Sequence, residues 1–370
     1  MIPVPQILAD LRRFATAVRR AVVARWATAV GVRVSNRSVT LAVGFSPWKE
    51  NFTRRLLRDR IVLFVDDPSA FRAIRGRLAR HPIDVVVWSS KEVELGFEAG
   101  DFAGLELSRL EDGFVRSIGR GIDRTPPWSL CRDRTGLYFD ATRPSDLETA
   151  CIGLTEADHA AAAPAIARTI ERLKGLQISK YNATRTPGRP NGPPHEPGSV
   201  LVLGQVEDDQ SIRCNTNEIS TNRDLIERAI ADNPGRRILF KQHPDCLGAR
   251  RRGGHVDVAS LPSVVEVDPA VGIAEAIEAV DTVYTISSLG GFEALLRGRE
   301  VVTFGGPFYA GWGLTRDHVR FPRRRRTLTV EELFHVAFVR YPIYFDPDTG
   351  ERTNLDAVLD HFSRVMSGAR

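Results

Sequence analysis

Cysteine is scarce and scattered in this sequence. Cys131, Cys151, Cys214 and Cys246 are its only four, and no two form a CxxC pair. That spacing fits neither a zinc site nor the disulfide framework of a small secreted domain, so reduced structural thiols are expected. Long apolar runs are missing too: none approaches the ~18–20 residues needed to span a bilayer. The N-terminal segment lacks a compact apolar core with a small-residue cleavage site, which reads against a secretory signal. The first half has no GxGxxG fingerprint and the chain no Walker A loop, which disfavours an NAD enzyme or a P-loop ATPase. What remains is 370 residues, 42% apolar and 26% charged, ordinary for a soluble globular protein and long enough for two domains. The expectation is a cytoplasmic enzyme.

Acidic residues are outnumbered. The formal charge is +5, and arginine clusters stand at Arg12/Arg13, Arg19/Arg20, Arg250–Arg252 and Arg323–Arg326. Such an excess favours anionic partners, among them nucleotides, acidic sugars and anionic lipids. No aromatic residues are interleaved with the clusters in the manner of a stacking platform, so nucleic acid is not expected. Residues 5–31 read as one amphipathic helix, with Leu8, Leu11, Phe14, Val18, Val22 and Trp26 at helical spacing. It either lies on an anionic membrane surface or packs its apolar stripe on the first domain.

From residue 38 short apolar runs alternate with helical stretches. Strands are predicted at Val39–Val43, Ile61–Val65, Ile83–Trp88 and residues 102–107, with a helix over 155–176 leading out. Residues 183–199 hold five prolines and three glycines and read as a linker. A second series follows at Val200–Leu203, Ile238–Lys241, Val264–Val267, Thr282–Thr285 and Val301–Phe304. Strands alternating with helices argue for right-handed βαβ units and parallel sheets. The division expected is a basic helix over 1–35, a domain over 36–182, the linker 183–199, a domain over 200–345 and a helical segment over 346–370. Two parallel-sheet domains joined by a linker make a cleft. Ligands of open α/β sheets sit at the carboxyl ends of strands, which directs attention to the residues just beyond them.

Beyond Leu203 come Gly204-Gln205-Val206-Glu207-Asp208-Asp209-Gln210-Ser211. One carboxylate there can act as base or nucleophile, with its neighbours tuning its pKa; a divalent-metal site and a plain acidic loop are the other readings. Beyond Phe240 come Lys241-Gln242-His243-Pro244, able to neutralise a phosphate or protonate a leaving oxygen. Beyond Thr285, Ser287-Ser288-Leu289-Gly290-Gly291 opens a helix whose N-terminus favours an anion, and Glu293 is one turn in, placed to accept from ribose hydroxyls. Glu111-Asp112-Gly113-Phe114-Val115-Arg116-Ser117 supplies two acids and an arginine from the first half, read either as an acid/base catalyst or as a capped turn. The loop 305–315 carries four glycines with Phe308, Tyr309 and Trp312, a composition suited to stacking on a base or sugar.

Taken in order, these pieces resemble the capsular polysaccharide synthesis family of bacterial β-Kdo (3-deoxy-octulosonate) transferases. The matches start at Gly44-Phe-Ser-Pro-Trp48-Lys49 and Glu111-Asp-Gly-Phe-Val-Arg-Ser, and continue at Tyr138-Phe-Asp with Arg143-Pro-Ser-Asp-Leu-Glu. They run on through the Gln205–Ser211, Lys241–Asp245 and Ser288–Leu295 stretches to Pro307-Phe-Tyr-Ala-Gly-Trp-Gly-Leu-Thr, covering roughly residues 40–345. The resemblance implies a GT-B glycosyltransferase, two Rossmann-like domains facing across a cleft, with CMP-β-Kdo as donor. It implies a β-Kdo product, hence retained configuration, most simply by double displacement. The nucleophile role falls on Asp209, with Asp208 second, and the acid/base role on Glu111, with Asp112 as rival. His243 and Lys241 would hold the CMP phosphate or donor carboxylate. Gln205, Ser211, Ser287, Ser288, Gly290 and Glu293 would bind the nucleotide. Arg116, Trp48, Lys49, Tyr309 and Trp312 are acceptor or loop candidates. The resemblance implies no cofactor and no metal, and a glycolipid or oligosaccharide acceptor; the basic N-terminal helix suits an acceptor at the inner face of the inner membrane. Another CMP-activated acidic sugar of the sialic-acid type, or a non-catalytic assembly role, are the alternatives.

Overall fold

The computed structural model describes residues 38–182, 192–215, 218–247 and 253–367. The basic helix expected over 5–31, the Arg250–Arg252 cluster and most of the Pro/Gly-rich linker lie outside those residues. In chain order the strands are β1 (Val39–Val43), β2 (Ile61–Phe64), β3 (Ile83–Trp88), β4 (Glu106–Asp112) and β5 (Ser117–Ile118). There follow β6 (Ser129–Asp133), β7 (Tyr181–Asn182), β8 (Val200–Leu203), β9 (Ile238–Lys241) and β10 (Val264–Glu266). The last are β11 (Thr282–Thr285), β12 (Glu300–Thr303), β13 (Arg316–Asp317), β14 (Pro342–Phe345) and β15 (Arg352–Thr353).

Contacts divide the described chain into two units, and no single cut separates them. One holds the residues up to Asp112 with Leu130–Arg134 and Ile343–Thr353; the other holds Gly113–Ser129, Thr135–Pro342 and the chain from Asn354 on. Residues 113–129 and 135–182, read from sequence as part of the first domain, thus fall in the second unit. Residues 343–353 return to the first, and the helical segment expected over 346–370 is confined to Leu355–Met366.

The first unit is built on a seven-stranded sheet of order β15-β14-β6-β4-β3-β1-β2. Strands β1 to β4 run parallel, β6 pairs antiparallel with β4, and β15 antiparallel with β14. β1 is buried along its whole length, as a strand covered on both faces must be. Its one polar side chain, Thr40, donates to Asp84 on β3 at 2.6 Å, and Asp84 pairs with Arg60 at 2.5 Å. The predicted strand over 102–107 is displaced: residues 99–102 form a helical turn, and β4 starts at Glu106.

The second unit carries a six-stranded sheet of order β10-β9-β8-β11-β12-β13, every pair parallel. Counted from β8, this is the doubly wound order 3-2-1-4-5-6, whose connections reverse direction between β8 and β11. Val200, Val202, Phe240, Tyr284 and Val302 build one core face with Leu225, Ile226 and Ala229 of the helix Asn222–Asp232. Among the described residues no helix is long and apolar enough to cross a membrane.

Candidate functional site

All strands of the second sheet point the same way, so the loops beyond Leu203, Lys241, Thr285 and Thr303 emerge at one edge. The reversal between β8 and β11 opens that edge where Gln205 follows β8 and Ser287 follows β11. The two residues are bonded to each other. Gln205 Oε1 accepts from the Ser287 backbone N–H at 2.8 Å and from the Thr285 hydroxyl at 3.2 Å, while Gln205 Nε2 donates to Ser287 Oγ at 3.2 Å. Ser287 Oγ in turn reaches Ser211 Oγ at 3.2 Å. Three side chains chosen from sequence therefore converge at the switch point.

Asn222 sets the backbone of this cluster. It is buried, its Oδ1 accepts from Gln205 N at 2.9 Å, and its Nδ2 donates to Gln205 O at 2.8 Å and Gly254 O at 2.6 Å. The acids that follow are not equivalent. Glu207 accepts from the Asn222 N–H at 2.7 Å and is a structural cap. Asp208 and Asp209 are exposed, and Asp209 begins the short helix Gln210–Arg213 with its Oδ1 accepting from Ser211 N at 2.9 Å. The Asp209 carboxylate is thereby held next to Ser211, whose hydroxyl meets that of Ser287.

His243 caps the turn Pro244–Cys246, its Nδ1 accepting from Asp245 N at 3.1 Å. With Nδ1 accepting, the neutral ring carries its hydrogen on Nε2 and presents a donor there. Lys241 ends β9 half-buried, its Nζ 3.5 Å from the Asp268 carbonyl. Ser288 caps the helix Leu289–Leu296, accepting from Gly290 N at 3.2 Å.

Glu293 is 4% exposed, lying inside the unit rather than on its edge. Burial pushes its carboxyl up to about 7, against the charge of Arg297 and a hydrogen bond from the Lys180 backbone N–H, which favour ionisation. Its Oε2 has no hydrogen-bond partner among the described residues. Here the side chain ties the bend at Lys180 to the helix, and the ribose contact expected from sequence is not on view.

Several candidates read from sequence as ligand-facing are interior. Tyr309 is 0% and Trp312 1% exposed. Tyr309 donates to Ser288 O at 2.5 Å and Trp312 Nε1 to Phe308 O at 2.8 Å, so neither ring is open to a base or sugar. Arg116 is wholly buried, with Nη1 donating to Ser117 Oγ at 2.8 Å. Of the arginine run, Arg323 and Arg324 bond the buried Glu148 at 2.6 and 3.1 Å, and Arg326 bonds Glu332 at 2.9 Å. These ion pairs make the three arginines struts of the second unit, Arg324 buried and Arg323 and Arg326 half-buried.

In the first unit Glu111 and Asp112 end β4, and Glu111 Oε1 accepts from Asp112 N at 2.9 Å. Trp48 packs on Phe52, and the Lys49 ammonium sits 3.1 Å over the Trp88 ring, a cation–π contact that holds the turn beyond β1 to the end of β3. Among the described residues no group of three or more His, Cys, Asp or Glu is placed to hold a metal ion, and no disulfide joins the four cysteines.

The sequence reading passed over Asn215 and Asn222. Asn215 is buried: Nδ2 donates to Phe139 O at 2.5 Å and Ser211 O at 2.8 Å, and Oδ1 accepts from Ala141 N at 2.7 Å. Its position one helical turn beyond Ser211 was the available signal.

A doubly wound parallel sheet with polar loops gathered at its switch point defines a protein of the mixed α/β class. More particularly, the chain belongs to the capsule polysaccharide biosynthesis protein family, whose profile matches residues 84–344. Its structure is similar to that of Thermosulfurimonas dismutans KpsC, β-Kdo 2,4 transferase, with 31% identity and a TM-score of 0.71 over 88% of this chain and 98% of the other. The KpsC β-Kdo 2,7 transferase aligns with 28% identity and a TM-score of 0.68, over 88% and 99%. The lipopolysaccharide-processing protein LpsZ of Rhizobium meliloti is 34% identical over 337 residues, 90% of this chain and 76% of LpsZ. The capsule polysaccharide modification protein LipA of Neisseria meningitidis is 33% identical over 330 residues, 86% of this chain and 45% of LipA. The chain therefore spans less than half of LipA's length.

Proposed function

We propose that this chain is a retaining β-Kdo glycosyltransferase of the GT-B type, moving Kdo from CMP-β-Kdo to a glycolipid or oligosaccharide acceptor in surface polysaccharide synthesis. The observation that carries the reading is the Gln205–Ser287–Ser211 cluster at the switch point, with Asp209 beside it, in a chain so similar to KpsC. In the first step an Asp209 carboxylate oxygen bonds to the anomeric carbon, the bond from that carbon to the phosphate oxygen breaks, and CMP leaves with the electron pair. In the second an acceptor hydroxyl oxygen attacks the same carbon, the bond to Asp209 breaks, and the hydroxyl proton passes to a carboxylate base, assigned to Glu111. Two inversions leave the configuration unchanged. His243, through Nε2, and Lys241 would hold the leaving phosphate, and the helix end at Ser288 adds its partial positive charge. No metal is assigned a role, so a chelator is expected to leave the rate unchanged.

The test is release of CMP from CMP-Kdo by purified protein, with and without short glycolipid acceptors, comparing wild type with Asp209→Ala. Release that requires both Asp209 and acceptor supports the assignment. Release no faster than in a folded Asp209→Ala protein sinks it, and the same assay with CMP-sialic acid then asks whether another acidic donor is used.

A further inference from the structure

The turn 139–143 is fixed at nearly every residue, and all its anchors lie in the second unit. Asn215 accepts from Ala141 N at 2.7 Å and donates to Phe139 O at 2.5 Å. Arg323 donates to the carbonyls of Ala141, Thr142 and Arg143 at 2.5, 3.4 and 3.0 Å. Asp140 bends back on its own turn, its Oδ1 accepting from Thr142 N at 3.0 Å and Thr142 Oγ1 at 2.5 Å. Gly306 packs so closely that a Cβ there would lie 2.7 Å from Ala141 Cβ and from Asn215 Oδ1. Asn215 also bonds Ser211 O, so the turn is tied directly to the short helix that Asp209 begins.

One cation is presented from this rigid frame. Arg143 is exposed, and its guanidinium makes no hydrogen bond or ion pair among the described residues. Of the arginines in the 323–326 run, Arg323 and Arg324 are engaged with Glu148 and Arg326 with Glu332. Its charge reaches the same ground as the acids. The Cys214 thiol is raised mainly by burial and further by Asp140 and Asp209, while Arg143 pulls it down.

A 2-keto-3-deoxy sugar acid carries its carboxylate on the anomeric carbon itself. Whatever binds that carboxylate must stand within a sugar's width of the nucleophile, and a guanidinium on a fixed backbone is well suited to bind it through two parallel hydrogen bonds. Building on the donor reading above, we propose that Arg143 binds the carboxylate of the donor sugar and so selects acidic ketose donors. Lys241 and His243 are then left to the phosphate.

The experiment compares wild type with Arg143→Met, Arg143→Lys and Asn215→Ala. It measures KM and kcat for CMP release from CMP-Kdo, the affinity for CMP by calorimetry, and thermal stability. Arg143→Met is expected to raise KM for CMP-Kdo roughly 10- to 100-fold, the range of a hydrogen bond to a charged group. Its affinity for CMP, which has no sugar carboxylate, should not change, nor should its melting temperature. Arg143→Lys should recover part of the loss. Asn215→Ala, which frees the turn, should raise KM in the same direction with a lowered melting temperature. An unchanged KM in Arg143→Met overturns the assignment, as does an equal loss of affinity for CMP, which would place the arginine on the nucleotide phosphate. If wild type releases no CMP from CMP-Kdo or CMP-sialic acid, the donor reading itself fails and takes this one with it.

Discussion

Burial moves the Glu293 carboxyl from its ordinary 4.5 up to about 7, and the consequence for stability has a definite sign. A carboxyl whose pKa is raised by folding stabilises the folded state while protonated. That contribution is complete below about pH 4.5, and it is lost as pH rises through 7. At 1.36 kcal/mol per unit, the loss approaches about 3 kcal/mol. Glu293→Gln stays neutral throughout and is expected to flatten this slope, read from urea unfolding midpoints at pH 5 and pH 8. An unaltered slope in the variant would place the titration elsewhere. At this scale the sequence was informative where a strand's end exposes polar groups: Gln205, Ser211 and Ser287 were all legible. It was uninformative about burial, because Glu293, Arg116, Tyr309 and Trp312 carry functional groups whose composition reads alike in a pocket and in a core.

The helix Leu289–Leu296 shows what its glycines are for. A Cβ on Gly291 would lie 2.1 Å from the Tyr309 hydroxyl, and that hydroxyl donates to Ser288 O at the helix cap. The glycine lets Tyr309 stand against the first turn and secure it, which places Ser287 and Ser288 at the sheet edge. Tyr309→Phe should lower unfolding free energy by about 1–3 kcal/mol, since the lost hydrogen bond is buried. Gly291→Ala should lose at least as much through overpacking. Chemical denaturation of both variants checks the order; a Gly291→Ala protein as stable as wild type would refute the close packing. Elements of this kind were legible where periodicity is strong. β8, with Val200, Leu201, Val202 and Leu203 all buried, is a continuous apolar run and was read without error. β6 was missed because Ser129-Leu-Cys-Arg-Asp133 alternates weakly and takes its place through pairing with β4 rather than through local pattern.

For the whole molecule, the sequence separated its two sheet domains at the Pro/Gly-rich stretch, yet the chain passes between its two units at Asp112, Ser129, Arg134, Pro342 and Thr353. Such returns are set by distant pairings, which composition along the chain does not record. The same blindness explains the arginine run. Arg323 and Arg324 converge on Glu148, and Arg324 also donates to Pro307 O and Ala310 O at 2.7 and 2.6 Å, tying helix Asp146–Gly153 to the 305–311 loop. Removing a carboxylate between two guanidiniums leaves charge buried without compensation, a loss of about 3–5 kcal/mol. Glu148→Gln should therefore be strongly destabilised in urea. Arg325 is exposed and bonds only the Pro322 carbonyl among the described residues, so Arg325→Gln should change stability by no more than about 0.5 kcal/mol. Equal, small effects at the two positions would return the whole run to solvent and contradict the strut. A large loss at Glu148 alone would show that charge reading like an anion-binding surface is part of the second unit's frame.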